Sequence, residues 1–118
     1  MVDSLAALVL AAGSGRRLRP LTDLRPKALC PVGNVALIDL ALARVAGVVP
    51  AGAVAVNAHH LRHQLEAHLA GRVHLSVEEP QALGTAGAVA NLRGWLDGRA
   101  LLVVNADAWH TADLAPLV

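Results

Sequence analysis

The chain has few of the residues on which several classes of protein depend. Among its 118 residues there are one cysteine, Cys30, two tryptophans, and no tyrosine or phenylalanine. A single cysteine excludes an internal disulfide framework and a multi-cysteine zinc site, so Cys30 is interpreted as a small packing residue. Two aromatic rings are too few for a surface on which single-stranded nucleic acid stacks.

Net charge and long apolar runs are also scarce. The formal net charge is +1, which is too small for a non-specific binder of polyanions. The apolar runs are short: Leu5 to Ala12 and Leu101 to Val104 are far below the length that spans a bilayer, and the first residues predict no secretory signal. With 55% hydrophobic and 16% charged residues, the composition is typical of a soluble globular domain. We therefore expect one cytoplasmic domain over residues 1–118, with neither nucleic acid nor membrane as a partner.

Positive charge is concentrated in one segment near the start of the chain. Five of the ten cationic residues lie between Gly13 and Lys27, and Lys27 is the only lysine. Such a run is usually a solvated basic surface. Here it follows an apolar run directly and begins with Gly-Ser-Gly, which favours a loop that binds an anion.

Two kinds of segment alternate along the chain and predict an α/β fold. Short apolar runs without polar alternation are typical of strands buried on both faces. The predicted strands are Leu5–Leu10, Ala53–Val56, Val73–Val77 and Leu101–Val104. Apolar residues at helical spacing predict helices within residues 37–45, 61–69 and 89–96, and residues 13–34 are interpreted as a long functional loop. The expected architecture is a mainly parallel sheet with helices on both faces.

Ligands of parallel sheets bind beyond the carboxyl ends of the strands. Those ends lie at residues 11–13, 57–59, 78–80 and 105–107. The basic loop and the acidic positions are therefore expected to share one edge of the sheet.

The two commonest phosphate-binding loops do not fit. Gly13-Ser14-Gly15 after a strand is a weak signal alone, and Leu18 stands where the dinucleotide fingerprint needs a small residue. The acid expected about twenty residues later is misplaced, since Asp39 lies in a predicted helix. No Gly-Lys-Ser/Thr follows, so the P-loop fails too, and a nucleotide-binding oxidoreductase is disfavoured.

A longer motif fits much better. The sequence LAAGSGRRLRPLT, continued by RPK and PV, resembles the signature of the sugar-1-phosphate nucleotidyltransferases, and the resemblance extends along nearly the whole chain through further matching segments. The matching segments are residues 10–22, 25–27, 31–32, 37–39, 84–87 and 105–107. The chain is most similar to the subgroup that holds mannose-1-phosphate guanylyltransferases and N-acetylmuramate-1-phosphate uridylyltransferases. The resemblance implies a Rossmann-like fold and the nucleotide-binding N-terminal part of one catalytic domain, whose sugar-binding strands would follow Val118.

The resemblance also implies the chemistry. A sugar phosphate oxygen attacks the α-phosphate of a nucleoside triphosphate and pyrophosphate leaves, so catalysis needs positioning and charge neutralisation rather than a protein nucleophile. Arg17 would neutralise charge on the pyrophosphate, and Lys27 would bridge phosphoryl oxygens near the attacked phosphorus. The implied nucleotide-binding residues are Leu10, Ala11, Ala12, Gly13, Ser14, Gly15, Glu79, Gly84 and Thr85.

Asp107 is the implied ligand of a Mg²⁺ cofactor, since a hard cation prefers carboxylate oxygen. Ala106 departs from the family, which usually has glycine there. Glu79 would accept hydrogen bonds from the base, which mildly favours guanine over uracil. His59 and His63 are expected to share a helix face at a spacing that can bind a metal, yet without a third ligand a structural role is favoured.

We therefore expect a nucleotidyltransferase that joins a nucleoside triphosphate, GTP by preference, to a sugar 1-phosphate. UTP-dependent transfer is the alternative within the class, and a non-catalytic nucleotide-sugar sensing domain is the rival from another class. Intact Arg17, Lys27 and Asp107 favour the enzyme. The sequence is compatible with a homo-oligomer but does not determine the oligomeric state.

Overall fold

The computed structural model describes residues 5–13, 19–50, 52–79 and 81–106. In chain order the elements are β1 (Leu5–Leu10), α1 (Leu21–Leu24), a 3-10 helix (Lys27–Leu29), β2 (Pro31–Val32), β3 (Val35–Ala36), α2 (Leu37–Val45), β4 (Val54–Ala58), α3 (Arg62–Leu69), β5 (His74–Val77), α4 (Gly84–Asn91), α5 (Arg93–Leu96) and β6 (Ala100–Asn105).

The main sheet has four strands in the order β5-β4-β1-β6, and all neighbours are parallel. The central strand β1 pairs with both β4 and β6, so that Val9 lies beside Val56 on one side and Val104 on the other. The chain first builds the sheet from β1 toward β5 and then returns to add β6 on the opposite side of β1. The strand order therefore reverses at β1, and in open α/β sheets ligands bind at such a point.

Both faces of the sheet are covered, because successive side chains of a strand point to opposite sides. Ala7 and Val9 belong to a core that includes buried residues of α2 and α3, such as Ile38 and Leu65. Leu8 belongs to the opposite core, which α4 and α5 cover. The expected Rossmann-like arrangement, a parallel sheet with helices on both faces, is confirmed.

Two predictions at the level of single elements are wrong. The predicted loop over residues 13–34 contains α1, the 3-10 helix and β2, which pairs antiparallel with β3. The predicted third helix starts earlier and is divided in two at Leu92, whose φ and ψ of −93° and 1° interrupt the helical backbone. Elements of two to four residues give too little periodicity to be read from a sequence.

The helices in the described part of the chain are short. None of them is long and apolar enough to cross a membrane.

Candidate active site

A cleft of about 250 Å³ opens at the carboxyl ends of the parallel strands. Residues from all four strand ends line it, together with the 3-10 helix and the start of α4. The lining residues are Leu10, Ala11, Ala12, Gly13, Lys27, Ala28, Asn57, Glu78, Ala82, Gly84, Thr85, Asn105 and Ala106. The shared edge predicted from the strand ends thus forms one cavity.

One wall of the cleft is the segment that leaves β1. Ala11 and Ala12 are buried and Gly13 is exposed at the rim, so the chain emerges from the sheet at the cleft. The predicted nucleotide-binding residues Leu10, Ala11, Ala12 and Gly13 all line this wall. The predicted residues Ser14, Gly15 and Arg17 lie outside the described residues.

Lys27 reaches the same cleft although it is distant from Gly13 in sequence. It opens the 3-10 helix between two buried neighbours, Pro26 and Ala28. The helix is closed by hydrogen bonds from Leu29 N to the Pro26 oxygen (2.9 Å) and from Cys30 N to the Lys27 oxygen (3.0 Å). The buried Pro26 and Ala28 fix the backbone, so the single lysine of the chain lies at a cavity lined by Gly13, as the motif predicts.

Asn57 and Glu78 form a buried polar network under the cleft. Asn57 is 4% exposed and Glu78 is 1% exposed, which is rare for a carboxylate. Ala11 N donates to Asn57 Oδ1 (2.6 Å), and Asn57 Nδ2 donates to Glu78 Oε2 (3.0 Å). Glu78 Oε1 accepts from Leu83 N (2.9 Å). The network therefore joins the ends of β1, β4 and β5 to the segment before α4.

The opposite wall comes from the segment that enters α4. Gly84 opens the helix with a φ of +74°, a conformation that side chains with a Cβ adopt at a cost. A Cβ on Gly87 would lie 2.6 Å from Leu83 Cβ, so only glycine lets Leu83 pack this closely on the helix. The predicted residues Gly84 and Thr85 both line the cleft.

Glu79 is placed differently from its neighbour. Its side chain is 56% exposed and lies 2.5 Å from Arg62 Nε, and it is not among the cleft-lining residues. Arg62 also contacts Glu66 (2.6 Å), and the hydrogen bond with Glu66, followed by the charge of Glu79, raises the pKa of Arg62. The same bond to Arg62 lowers the pKa of Glu66. The base-reading role of Glu79 stays a prediction.

The predicted metal ligand Asp107 directly follows Ala106, a buried residue of the cleft, but lies outside the described residues. Within the described ranges, no cluster of three histidine, cysteine or acidic side chains could hold a metal ion. Glu78 lines the cleft, yet both of its oxygens accept protein hydrogen bonds. The residues described thus do not form a Mg²⁺ site by themselves, and the site stays a prediction.

The histidines near α3 contact the backbone of neighbouring segments. His59 Nδ1 lies 2.7 Å from the Glu78 oxygen, and His60 Nε2 lies 2.5 Å from the Thr22 oxygen. Because α3 begins at Arg62, His59 precedes the helix and does not share a helical face with His63. These contacts give His59 and His60 structural roles beside the cleft.

Sequence reasoning placed Asn57 and Glu78 at strand ends but gave neither a role. The resemblance to the family points to Glu79 instead. The sequence nevertheless held a signal for Asn57 and Glu78. Both are polar residues at the ends of buried strands, and such residues must find hydrogen-bond partners at the same edge of the sheet.

The family model for nucleotidyl transferases matches residues 6–118. N-acetylmuramate alpha-1-phosphate uridylyltransferase of Caulobacter vibrioides is 42% identical over 110 residues, which cover 86% of this chain and 45% of the relative. Mannose-1-phosphate guanylyltransferase of Mycobacterium tuberculosis is 34% identical over 119 residues, which cover 95% of this chain and 32% of the relative. This chain therefore spans less than half the length of these curated relatives.

Solved structures share the fold. The structure of a mannose-1-phosphate geranyltransferase from Thermus thermophilus matches with a TM-score of 0.79 and 31% identity. The match covers 96% of this chain and 35% of that one. The similarity thus extends over nearly all of the sheet and the cleft described above.

Proposed function

The chain belongs to the nucleotidyl transferase family of sugar-1-phosphate nucleotidyltransferases, and on this premise we propose that its cleft binds a nucleoside triphosphate for transfer to a sugar 1-phosphate. The products would be a nucleoside diphosphate sugar and pyrophosphate. The chain spans less than half the length of its curated relatives. The proposal therefore concerns the naturally made protein, which means the full length that the cell produces.

One observation carries the proposal: Gly13 and Lys27 line the same cleft, where the strand order of the sheet reverses. A glycine at the end of a strand lets phosphate oxygens approach backbone N–H groups. A lysine on the same cavity adds a positive charge for those oxygens. These two features would form part of a phosphate site, in a position where α/β sheets bind nucleotides.

The chemistry follows from this arrangement. A phosphate oxygen of the sugar phosphate attacks the α-phosphorus, a new P–O bond forms, and the bond from the α-phosphorus to the bridging oxygen of the β-phosphate breaks. Pyrophosphate leaves with that electron pair. Lys27 would offset the charge that develops on the phosphoryl oxygens, which is the largest contribution a protein makes to such a transfer. Arg17 keeps its predicted role beside the departing pyrophosphate.

Mg²⁺ is part of the proposal as a cofactor, with Asp107 as a ligand. A bound divalent cation would supply neutralisation of phosphate charge. Chelation with EDTA followed by addition of Mg²⁺ tests this, and the proposal requires both the loss and the recovery of turnover.

The base is proposed as uracil first and guanine second. Uracil is supported by the 42% identity to an N-acetylmuramate alpha-1-phosphate uridylyltransferase. Guanine is supported by the acceptor character of Glu79, but that carboxylate lies beside Arg62 and outside the cleft lining.

A matrix of substrates tests the proposal. UTP, GTP, ATP and dTTP are each paired with N-acetylmuramate α-1-phosphate, mannose 1-phosphate and glucose 1-phosphate, and pyrophosphate release is measured. The expected result is release that depends on both substrates and is fastest with UTP. Faster release with GTP would move the assignment to guanylyl transfer. Tight nucleotide binding without release in any pair would favour the sensing domain and overturn the enzyme.

A further inference from the structure

The orientation of Asn57 is fixed by its neighbours. Ala11 N–H can only donate, so the Asn57 atom that faces it at 2.6 Å must be the oxygen. The amide nitrogen of Asn57 then points to Glu78 Oε2 at 3.0 Å. If the amide oxygen and nitrogen of Asn57 were exchanged, the Asn57 N–H would face the Ala11 N–H, and no hydrogen bond could form between them.

Glu78 must therefore accept a hydrogen bond at each of its two carboxylate oxygens. Asn57 Nδ2 donates to one oxygen and Leu83 N donates to the other. An ionised carboxylate accepts at both oxygens, whereas a glutamine in its place would donate at one of them. Since the Glu78 side chain is 1% exposed, water cannot readily replace the lost acceptor.

The two ends of this network are the two walls of the cleft. Ala11 belongs to the segment that leaves β1, and Leu83 precedes Gly84 at the start of α4. Asn57 belongs to β4 and Glu78 directly follows β5, and the sheet holds these two adjacent strands in register. The separation of the walls is thus set by two buried side chains on a rigid support.

We propose that Asn57 and Glu78 are positioning residues, which hold the Ala11 and Leu83 backbone at the spacing that accepts a nucleoside triphosphate. The proposal rests on the proposed function for its ligand. Neither side chain needs to touch the reacting phosphorus, since the effect passes through the backbone of the two walls. The requirement is the pattern of donors and acceptors, and it does not depend on which of the two residues carries the negative charge.

This requirement allows a test by exchange of the two groups. Glu78→Gln alone leaves two donors facing each other, and Asn57→Asp alone places two carboxylates together in a buried site. In the double variant Asn57→Asp/Glu78→Gln, the new aspartate accepts from Ala11 N and from the glutamine amide. The glutamine oxygen accepts from Leu83 N, so every bond is restored with the charge at the other position.

The first measurement is the dissociation constant of the nucleoside triphosphate, with kcat and KM, in the naturally made protein. Each single variant should weaken binding on the order of tenfold or more, because Glu78→Gln leaves a buried donor without an acceptor and Asn57→Asp places two buried carboxylates together. The double variant should return to within about threefold of the unaltered protein. Folded single variants that bind normally would overturn the proposal, and so would a double variant weaker than either single one.

Ser76→Ala provides the matched control. Ser76 is a buried residue of β5 whose hydroxyl accepts from Asn91 Nδ2 at 2.9 Å, and neither residue lines the cleft. Its loss should lower the unfolding free energy while the nucleotide dissociation constant stays unchanged. A similar loss of affinity in Ser76→Ala would mean that general loosening of the sheet, rather than wall spacing, explains the single variants, and would overturn the proposal.

Amide hydrogen exchange at Ala11 and Leu83 gives a second readout without nucleotide. Exchange at both amides should accelerate at least about tenfold in each single variant and slow again in the double variant. Absence of nucleotide binding by the unaltered protein would refute the proposed function alone. Unchanged exchange at both amides in the single variants would refute the positioning role, whatever the protein binds.

Discussion

His68 Nε2 lies 2.7 Å from Asp39 Oδ2 and joins the last turn of α3 to the first turn of α2. Arg72 Nη2 lies 2.8 Å from the other oxygen, Asp39 Oδ1, in an ion pair whose alignment falls short of a hydrogen bond. Burial raises the pKa of Asp39, but the hydrogen bond with His68 and the positive charges of His68 and Arg72 outweigh it, so the pKa lies below 3.8. This cluster ties together two helices on the same face of the sheet.

The first prediction concerns acid stability. Because the pKa of Asp39 is lower in the folded chain than in the unfolded one, its ionised form stabilises the fold above pH 3.8. That contribution is lost as the pH falls through the lower value of the folded state. Asp39→Asn should therefore lower the unfolding free energy at about pH 5 and above, and the difference from the unaltered protein should shrink below about pH 4. Urea titrations across this range measure it.

Asp23→Asn is the control for that prediction. Asp23 pairs with Arg19 at 3.5 Å, but both side chains are more than half exposed. Exposed pairs contribute between about 0 and 1 kcal/mol, so this variant should change the unfolding free energy little at any pH. A difference between Asp39→Asn and the unaltered protein that grows as the pH falls would contradict the account of Asp39.

The second prediction concerns Lys27. Lys27→Met keeps an apolar stem at the cleft and removes the charge, so kcat should fall on the order of a hundredfold or more while the protein stays folded. Arg25→Ala removes an exposed charge two residues away in the same segment and should leave kcat within about twofold. Steady-state pyrophosphate release with circular dichroism gives both values. Equal effects of the two substitutions would show that Lys27 contributes only to the general field of the basic segment.

The third prediction compares two helical glycines. Gly87→Ala would bring its Cβ to 2.6 Å from Leu83 Cβ, so the segment before α4 must shift, at a cost of about 1–3 kcal/mol. Because Leu83 N is held by Glu78, nucleotide affinity should fall as well. In Gly94→Ala the new Cβ meets nothing within 4 Å, and the helix should gain up to about 1 kcal/mol. Thermal unfolding should show opposite signs, and two shifts of the same sign would disprove the packing argument.

The sequence predicts the sheet well because its strands are buried on both faces. The predicted strand Leu5–Leu10 has the bounds found in the structure, and the other three differ by one or two residues at their ends. The short elements between Gly13 and Asn34 are missed, since a turn of 3-10 helix has no amphipathic period. The division at Leu92 follows from a single residue in non-helical backbone, which the spacing of apolar residues does not record.

The candidate site is predicted in part. The motif names Gly13, Lys27, Gly84 and Thr85, and the structure brings these four residues to one cleft. Glu78 is missed because consecutive glutamates look equivalent in sequence, while the segment that leaves β5 buries Glu78 and exposes Glu79. The pairing of Asn57 with Glu78 depends on the register of β4 and β5, which local sequence does not determine.

The most direct test of nucleotidyl transfer follows a label on the α-phosphorus of the nucleotide. The naturally made protein is incubated with a sugar 1-phosphate and a nucleoside triphosphate labelled at the α-phosphorus, and the products are separated. The account predicts that the label appears in the nucleoside diphosphate sugar, with one unlabelled pyrophosphate released for each, and that Lys27→Met suppresses both. Release of pyrophosphate with the label in free nucleoside monophosphate, or no transfer of label with any of the four bases, would contradict it.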